Sequence, residues 1–339
     1  MAENVMDQIA GELKSRSAEL FPERGEPRAV RVVGHTPKTD HFIYDLVADF
    51  QSGSERMAAK VYRTSKCGQA GARDLAERET GNLRSIWGVA SEKRLSGIPR
   101  PVGDFSAMGA VVSEKLIGIP LQSIIMKAAL LPGYAGLGLL QNAAKESGKW
   151  LRSFQRVTAQ APSPIDGDAM QTELERLCHS CKSEGLDEAS TRKILSGTRA
   201  ILDRSRKPLT NSAVLHDFNP LNVVVMEQGV GFSDFARLTE SGSSYTDPAT
   251  FLACVEALEK YPFCNRAITT EVQENFLDAY EATEQERELL QVVKMKVLLS
   301  MFAAGRTVKE SAVRKKVMWA NVMKKFIQAV AERSMPNAA

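Results

Sequence analysis

Three polar side chains stand together in VLHDFNPLNVVVMEQGVGFSDFARL, which runs from Val214 to Leu238. Asp217, Asn222 and Asp234 sit among bulky apolar residues, where a chain building only core would place none of them. Val223–Met226 and Val230–Ser233 read as short strands joined by Glu227, Gln228 and Gly229. Glycine suits the left-handed last position of a three-residue hairpin loop. A hairpin centred on Gln228 sets Asn222 opposite Asp234, with a Cα spacing of ~4.5–5.5 Å. An amide oxygen and a carboxylate converging there suit a hard cation such as Mg²⁺, which takes oxygen ligands and keeps several waters. Pro220 excludes a regular helix between Asp217 and Asn222. A loop would place the Asp217 carboxylate beside such a metal rather than on it, where it can orient a hydroxyl and accept its proton. Asp and Asn are also ordinary turn residues; the grouping around one hairpin is what points to chemistry.

The elements that must position these groups fall into two kinds. Residues 1–22 have the spacing of an amphipathic helix ended by Pro22. Phe42–Phe50 alternates, with Phe42, Tyr44, Leu46 and Phe50 on one face, and Arg56–Arg63 reads as its partner strand across a turn at Gln51–Ser54. A helical stretch, ARDLAERETGNLRSIW, follows, and then a further strand at Gly109–Leu116. Beyond Pro120 helices dominate, at about 140–158, 170–184, 189–204, 249–260 and 270–282. Ala128–Leu140, broken by Pro132 and three glycines, reads as a loop. Thr283 to Glu286 has the form of a capping box opening a helix to about 304. The last helix carries Val313, Val317, Ala320, Ile327 and Val330 as an apolar stripe, with Arg314, Lys315, Lys316, Lys324 and Lys325 as a solvated basic face. The expected class is α+β, with an antiparallel-sheet lobe preceding a larger helical one. The expected divisions are an N-terminal helical extension at 1–27, a sheet lobe at 28–113, a hinge at 114–118 and a helical lobe at 119–339.

Composition narrows the function classes. The 339 residues carry 43% hydrophobic and 25% charged side chains, enough to bury a sizeable core. A formal net charge of +3 is too small to imply a nucleic-acid partner. No segment offers the ~20 apolar residues of a membrane helix, so no membrane insertion is expected. Five scattered cysteines and the lack of a signal peptide fit a reduced, cytoplasmic protein. Cys178-His179-Ser180-Cys181 has half the spacing of a zinc site, but no second half accompanies it, and it reads as plain helix.

D-F-N-P-L-N, a short hairpin and then S-D-F-A resemble the catalytic and metal-binding segments of the aminoglycoside phosphotransferase and choline kinase group. These are small-molecule kinases with a protein-kinase-like, two-lobed fold. The resemblance implies that Asp217 acts as the base and that Asn222 and Asp234 hold Mg²⁺. It implies that Lys60 in MAAKVYR, on the strand face shared with Ala58 and Tyr62, holds ATP phosphates. It further implies that Glu79, or failing it Glu77, pairs with Lys60. VVSEKLIGIPL is similar to the inter-lobe hinge, so the residues around Glu114, Lys115 and Leu116 would contact the nucleotide. GKWLRSFQ is similar to the helix before the catalytic loop. VVGHTPKTDHF occupies the phosphate-loop position with a single glycine, and its His35 and His41 read as plain loop residues.

Two departures stand out. The family usually has His-Gly before the catalytic aspartate, where this chain has Leu215-His216. The family typically has an aspartate where Phe251 stands, so a support for the catalytic loop is expected to be missing. The implied activity is ATP- and Mg²⁺-dependent transfer of the γ-phosphate to a hydroxyl of a small molecule, with a sugar or an aminoglycoside-like compound as acceptor. The acceptor would lie against residues between about 245 and 310. Glu271, Glu274 and Asp278 share one helix face that could meet amines or simply be solvated. The alternative is a nucleotide-binding module with weak or no transfer activity. A protein kinase would need an Ala-Pro-Glu-like anchor after Asp234, and the chain has none.

Overall fold

The computed structural model describes residues 2–131, 133–183, 185–205, 209–261, 263–304 and 313–335. They form two compact units: Met1–Gly118 with Gly231–Leu238, and Ile119–Val230 with Thr239–Ala339.

The first unit is built on a four-stranded antiparallel sheet in the order β1 (Ala29–Pro37), β2 (His41–Phe50), β3 (Gly53–Tyr62) and β4 (Ala110–Glu114). Alternation sorts its side chains. Tyr44, Leu46, Ala48 and Phe50 of β2 join Met57, Ala59 and Val61 of β3 in one core. The N-terminal helix α1 (Ala2–Ser15) covers that core with Met6, Ile9 and Leu13. Lys60, at the intervening position of β3, therefore emerges on the other face. The helix α2 (Thr64–Lys93) begins well before the stretch expected from sequence and tolerates a non-helical Gly68 (φ +73) near its start. Its buried stripe of Ala72, Ala76, Glu79, Leu83, Ile86 and Ala90 has helical spacing, with one carboxylate set among the apolar residues.

VVGHTPKTDHF is strand and tight turn rather than an open glycine loop. Its glycine, Gly34, sits at an irregularity in β1, and the turn after Pro37 closes with Lys38 N–H donating to the His41 carbonyl at 2.9 Å.

The second unit is mainly helical. It contains α3 (Leu121–Leu130), α4 (Leu137–Val157), α5 (Gly167–Lys182), α6 (Glu188–Arg204), α7 (Thr246–Glu256), α8 (Arg266–Ala279), α9 (Glu284–Ala304) and α10 (Val313–Ser334). A small antiparallel sheet joins β5 (Gln160–Ser163), β6 (Leu209–Val214) and β9 (Thr239–Ser243), with β6 central. A further short strand, β7 (Val223–Met226), precedes the Glu227–Gly229 turn, and β8 (Val230–Phe232), which follows it, lies mostly in the first unit.

Ala128–Leu140 is not a loop throughout. Helix α3 runs to Leu130 and α4 opens at Leu137, so only the middle is loop, and Gly138 is helical. Pro132 lies outside the described residues. The capping box is realised: Thr283 N–H donates to Glu286 Oε2 at 2.8 Å, and Glu286 N–H to Thr283 Oγ1 at 3.3 Å. Of the terminal stripe, Ile327 and Val330 are fully buried, and Lys325 is exposed. The side chains of Val313, Arg314, Lys315, Lys316, Val317 and Ala320 lie outside the described residues. Among the described residues no helix is long and apolar enough to cross a membrane.

Two features hold the second unit's centre. Helices α4 and α8 approach so closely at Gly148 that a Cβ there would collide with the Phe276 carbonyl oxygen. A column of rings runs Trp150–Phe218–Phe251–Phe276–Tyr280, with successive centroids at 5.7, 5.8, 4.2 and 5.9 Å. Offset ring pairs of this kind add to the stabilisation from burial alone. Phe218 thereby anchors the residue next to Asp217, and Phe251 fills the column.

Candidate active site

In the first unit, Lys60 is the centre of a buried charge cluster. Its Nζ lies 3.1 Å from each oxygen of the Glu79 carboxylate and 3.1 Å from Asp234 Oδ1. Glu79 is 3% exposed, whereas Glu77 faces solvent, so the helix face chosen by Leu83 decides between the two. Burial alone would lower the Lys60 value, but Glu79 and Asp234 together raise it well above the ordinary lysine range and keep the ammonium charged. Burial pushes Glu79 up, opposed chiefly by Lys60. For Asp234 burial also pushes upward, but Lys60 and the Ala236 N–H outweigh it and hold the carboxyl below its usual range. The segment carrying Asp234 is tied down by Asn82, whose Nδ2 donates to the Phe235 carbonyl at 2.8 Å, and by Phe232 N–H, which donates to Gly97 O at 2.9 Å.

Glu114 and Leu116 do not join this cluster. Glu114 pairs in register with Met57 and Lys60 pairs with Val111, so Glu114 points to the opposite face of the sheet from Lys60. Its side chain lines a cavity of about 380 Å³ with Phe21, Arg24, Glu55 and Arg100. What Glu114 can offer on the lysine side is backbone. Leu116 lies just past the end of β4 and packs against Gly231, where a Cβ would come within 2.8 Å of it.

In the second unit, Asp217 and Asn222 belong to one closed loop. Asn219 organises it: its Nδ2 donates to Asp217 Oδ1 at 2.5 Å, its Oδ1 accepts Leu221 N–H at 2.9 Å, and its carbonyl accepts Asn222 N–H at 3.0 Å. Asn222 Nδ2 donates to the Asp217 carbonyl at 3.1 Å, which turns its amide oxygen away from that carbonyl. Gln122 N–H, at the start of α3, donates to Pro220 O at 2.8 Å. At the turn that follows β7, Gly229 has φ +77 as the hairpin loop requires.

The expectation that the loop lacks a supporting aspartate is corrected. Asp247, fully buried in α7, accepts Leu215 N–H and His216 N–H at 2.8 Å each. It performs from one turn earlier the task looked for at Phe251. Burial pushes its carboxyl up to about 7. His216 takes φ +59, the left-handed conformation for which glycine is better suited, and its Nε2 lies 2.9 Å from Thr239 Oγ1.

The acidic face of α8 is already engaged. Arg287 bonds Glu274 at 2.9 Å and Asp278 at 2.6 Å, and Gln141 donates to Glu271 at 2.5 Å. Asn219, Asp247 and Tyr62 were not singled out from sequence for a role in the site. The Asx-turn spacing of Asp217-Phe218-Asn219 was a signal for the first and the strand face shared with Lys60 for the last. Asp247 carried none, since a buried acceptor for a distant backbone leaves no local pattern.

Asp234 in the first unit and Asn222 in the second each offer an oxygen donor of the kind that Mg²⁺ takes. Among the described residues no group of three or more His, Cys, Asp or Glu is placed to hold a metal ion. Mg²⁺ typically needs only one or two protein carboxylates beside phosphate and water.

No protein-family model matches the chain, and no curated protein matches it. Solved structures do. The chain is similar to a glucosamine kinase (TM-score 0.52, 14% identity, 91% of this chain and 96% of that one covered). It is similar to a choline/ethanolamine kinase family protein from Mesorhizobium loti (0.52, 13%, 97% and 99%). It is similar also to a spectinomycin phosphotransferase solved with ADP and spectinomycin (0.51, 12%, 96% and 98%). At these identities the likeness is one of fold: α+β and protein-kinase-like.

Proposed function

We propose that the protein is an ATP- and Mg²⁺-dependent phosphotransferase that moves the γ-phosphate to a hydroxyl of a small molecule. The observation that carries this is the Lys60 ammonium, 3.1 Å from both Glu79 oxygens and from Asp234 Oδ1. A charged lysine buried between two carboxylates is costly unless it serves a ligand or a precise structure. Lysine held by glutamate, beside a metal-binding aspartate, is the arrangement that receives nucleotide phosphates in kinases.

On this proposal Lys60 holds the inner phosphates and Glu79 keeps Lys60 in place. Asp234 and Asn222 hold Mg²⁺, which when bound neutralises charge on the phosphates. Asp217, oriented by Asn219, accepts the proton of the attacking hydroxyl. Leu116 and the backbone at Glu114 contact the nucleotide base. Catalysis is mainly positioning and charge neutralisation, because phosphoryl transfer asks little covalent chemistry of the protein.

A neutral sugar or alcohol fits as acceptor better than a polyamine. The α8 carboxylates that might meet amines are already bonded to Arg287 and Gln141. The support Asp247 gives the loop favours an active enzyme over a nucleotide-binding module.

The test is ATP consumption measured against sugars, amino alcohols and aminoglycosides in turn, with MgATP binding measured alongside. Turnover with a sugar or alcohol is expected. Absence of MgATP binding, or binding without turnover on any of the three classes, would refute the proposal.

A further inference from the structure

We infer that Tyr62 is a positioning residue: its hydroxyl fixes Glu79, and through Glu79 the Lys60 ammonium, in the arrangement that receives nucleotide phosphates. This rests on the phosphotransferase function proposed above and extends it to a group outside the lysine–glutamate pair.

Lys60 and Tyr62 are two residues apart on β3 and so share the sheet face that presents Glu79 its partners. Tyr62 donates its hydroxyl to Glu79 Oε2 at 2.5 Å, and its ring centroid lies 5.4 Å from Lys60 Nζ. One tyrosine thus touches both members of the pair. Its hydroxyl remains a donor, because burial and the neighbouring Glu79 raise its value far above the ordinary phenol range.

The pair needs such a tether. Lys60 Nζ stands at the same 3.1 Å from Asp234 as from Glu79, so the ammonium is shared between two carboxylates and does not by itself fix Glu79. A glutamate held only by that ammonium retains rotamer freedom. A second, neutral donor removes that freedom without competing for the charge. Tyr62 is itself held. It is 4% exposed, and His41, its register partner on β2, sets its ring edge-on at 6.1 Å. His41 Nδ1 in turn lies 2.8 Å from Asp40 Oδ1, and Arg63 N–H, the next residue after β3, donates to Asp40 O at 2.9 Å. A line of supports therefore crosses the sheet from Asp40 through His41, Tyr62 and Glu79 to Lys60. The strand that carries the lysine thus also carries the hydroxyl that holds the lysine's glutamate.

The test is MgATP and adenosine titration of the full chain by calorimetry, for the wild type, Tyr62→Phe, Glu79→Gln, the double variant and Lys60→Met. Tyr62→Phe is expected to weaken MgATP binding about tenfold, the worth of a hydrogen bond to a charged group. Adenosine binding should be unchanged, because the loss is confined to the phosphates. The tyrosine change should cost less in the Glu79→Gln background, where the remaining acceptor is an uncharged amide oxygen. Wild-type MgATP affinity in Tyr62→Phe, or an undiminished further loss in the double variant, overturns the inference. Glu79→Asp draws the carboxylate back from the hydroxyl and the ammonium alike, and serves should Tyr62→Phe fail to fold; wild-type MgATP affinity there overturns the inference equally. The wild type and Lys60→Met report on the phosphotransferase function itself. A wild type that ignores MgATP, or a Lys60→Met that binds it as well, removes that function and this inference together. A normal Lys60→Met defect with an unaffected Tyr62→Phe removes only the inference.

Discussion

Asp247 holds Leu215 by its backbone: Oδ2 accepts the Leu215 N–H at 2.8 Å, while Oδ1 accepts that of His216. The two donors precede Asp217 directly, so the position of the proposed base depends on a carboxylate in another element. Asp247→Asn sets an amide NH₂ against a backbone N–H. Turnover should fall up to ~10²-fold, the cost of about 1 Å of misplacement, with MgATP affinity little changed. The same group leaves a pH signature. Its folded value, about 7, lies above the ~3.9 of an unfolded aspartate. The fold binds this proton more tightly than the unfolded chain, so its contribution to stability falls as pH rises from about 4 to about 7 and is level above. Thermal melts of wild type and variant across that range should differ by this slope; parallel curves would count against it.

Asp217→Ala removes the proposed proton acceptor and nothing that touches nucleotide. Steady-state turnover should drop by at least ~10²-fold while the MgATP dissociation constant stays near the wild-type value. Unchanged turnover would take Asp217 out of its role.

Asp234→Asn keeps the shape and removes the charge. Nucleotide binding that depends on Mg²⁺ should weaken, and binding of nucleotide without Mg²⁺ should not. Lys60 and the Ala236 N–H outweigh burial and hold this carboxyl below its usual range. Asp234 should therefore contribute no titration of its own to the wild type's Mg²⁺ dependence over about pH 6–8. Equal affinities with and without Mg²⁺ in both proteins would end the metal assignment.

Lys294 and Glu256 form an ion pair at 2.6 Å with both side chains buried, and Glu256 also meets Arg333 at 3.2 Å. Glu256→Ala strands a buried ammonium and should cost about 3–5 kcal/mol in urea unfolding. Lys294→Met leaves Glu256 with Arg333 and should cost less. The reverse order would mean that Arg333 does not compensate Glu256 for the lost ammonium.

The parts of this molecule legible in the sequence are those where one local rule acts alone. Alternation in β2 gave its buried face because one side of that strand meets core and the other does not. The capping box and the left-handed Gly229 were readable because each is a contract among neighbours. Ala128–Leu140 was misread because a glycine in the first turn of a helix, as Gly138 is in α4, does not stop it. Choosing Glu79 over Glu77 required only the side of α2 that carries Leu83. Tyr62 and Asp247 were harder. Each matters through a partner fixed by tertiary packing, and a fully buried aspartate four residues from the expected one is visible only once α7 and the loop before Asp217 are folded.

Gly231–Leu238 belongs with the first unit although the chain has already passed into the second. A gene fragment ending at residue 118 would therefore encode the strands and the lysine but not Asp234. The resulting peptide would have an unfilled seat for Phe232 and Phe235 and one fewer anion beside its buried cation. A fragment meant to keep the first unit whole would have to splice the 231–238 segment back on, and a C-terminal truncation that passes residue 238 cuts into both units at once.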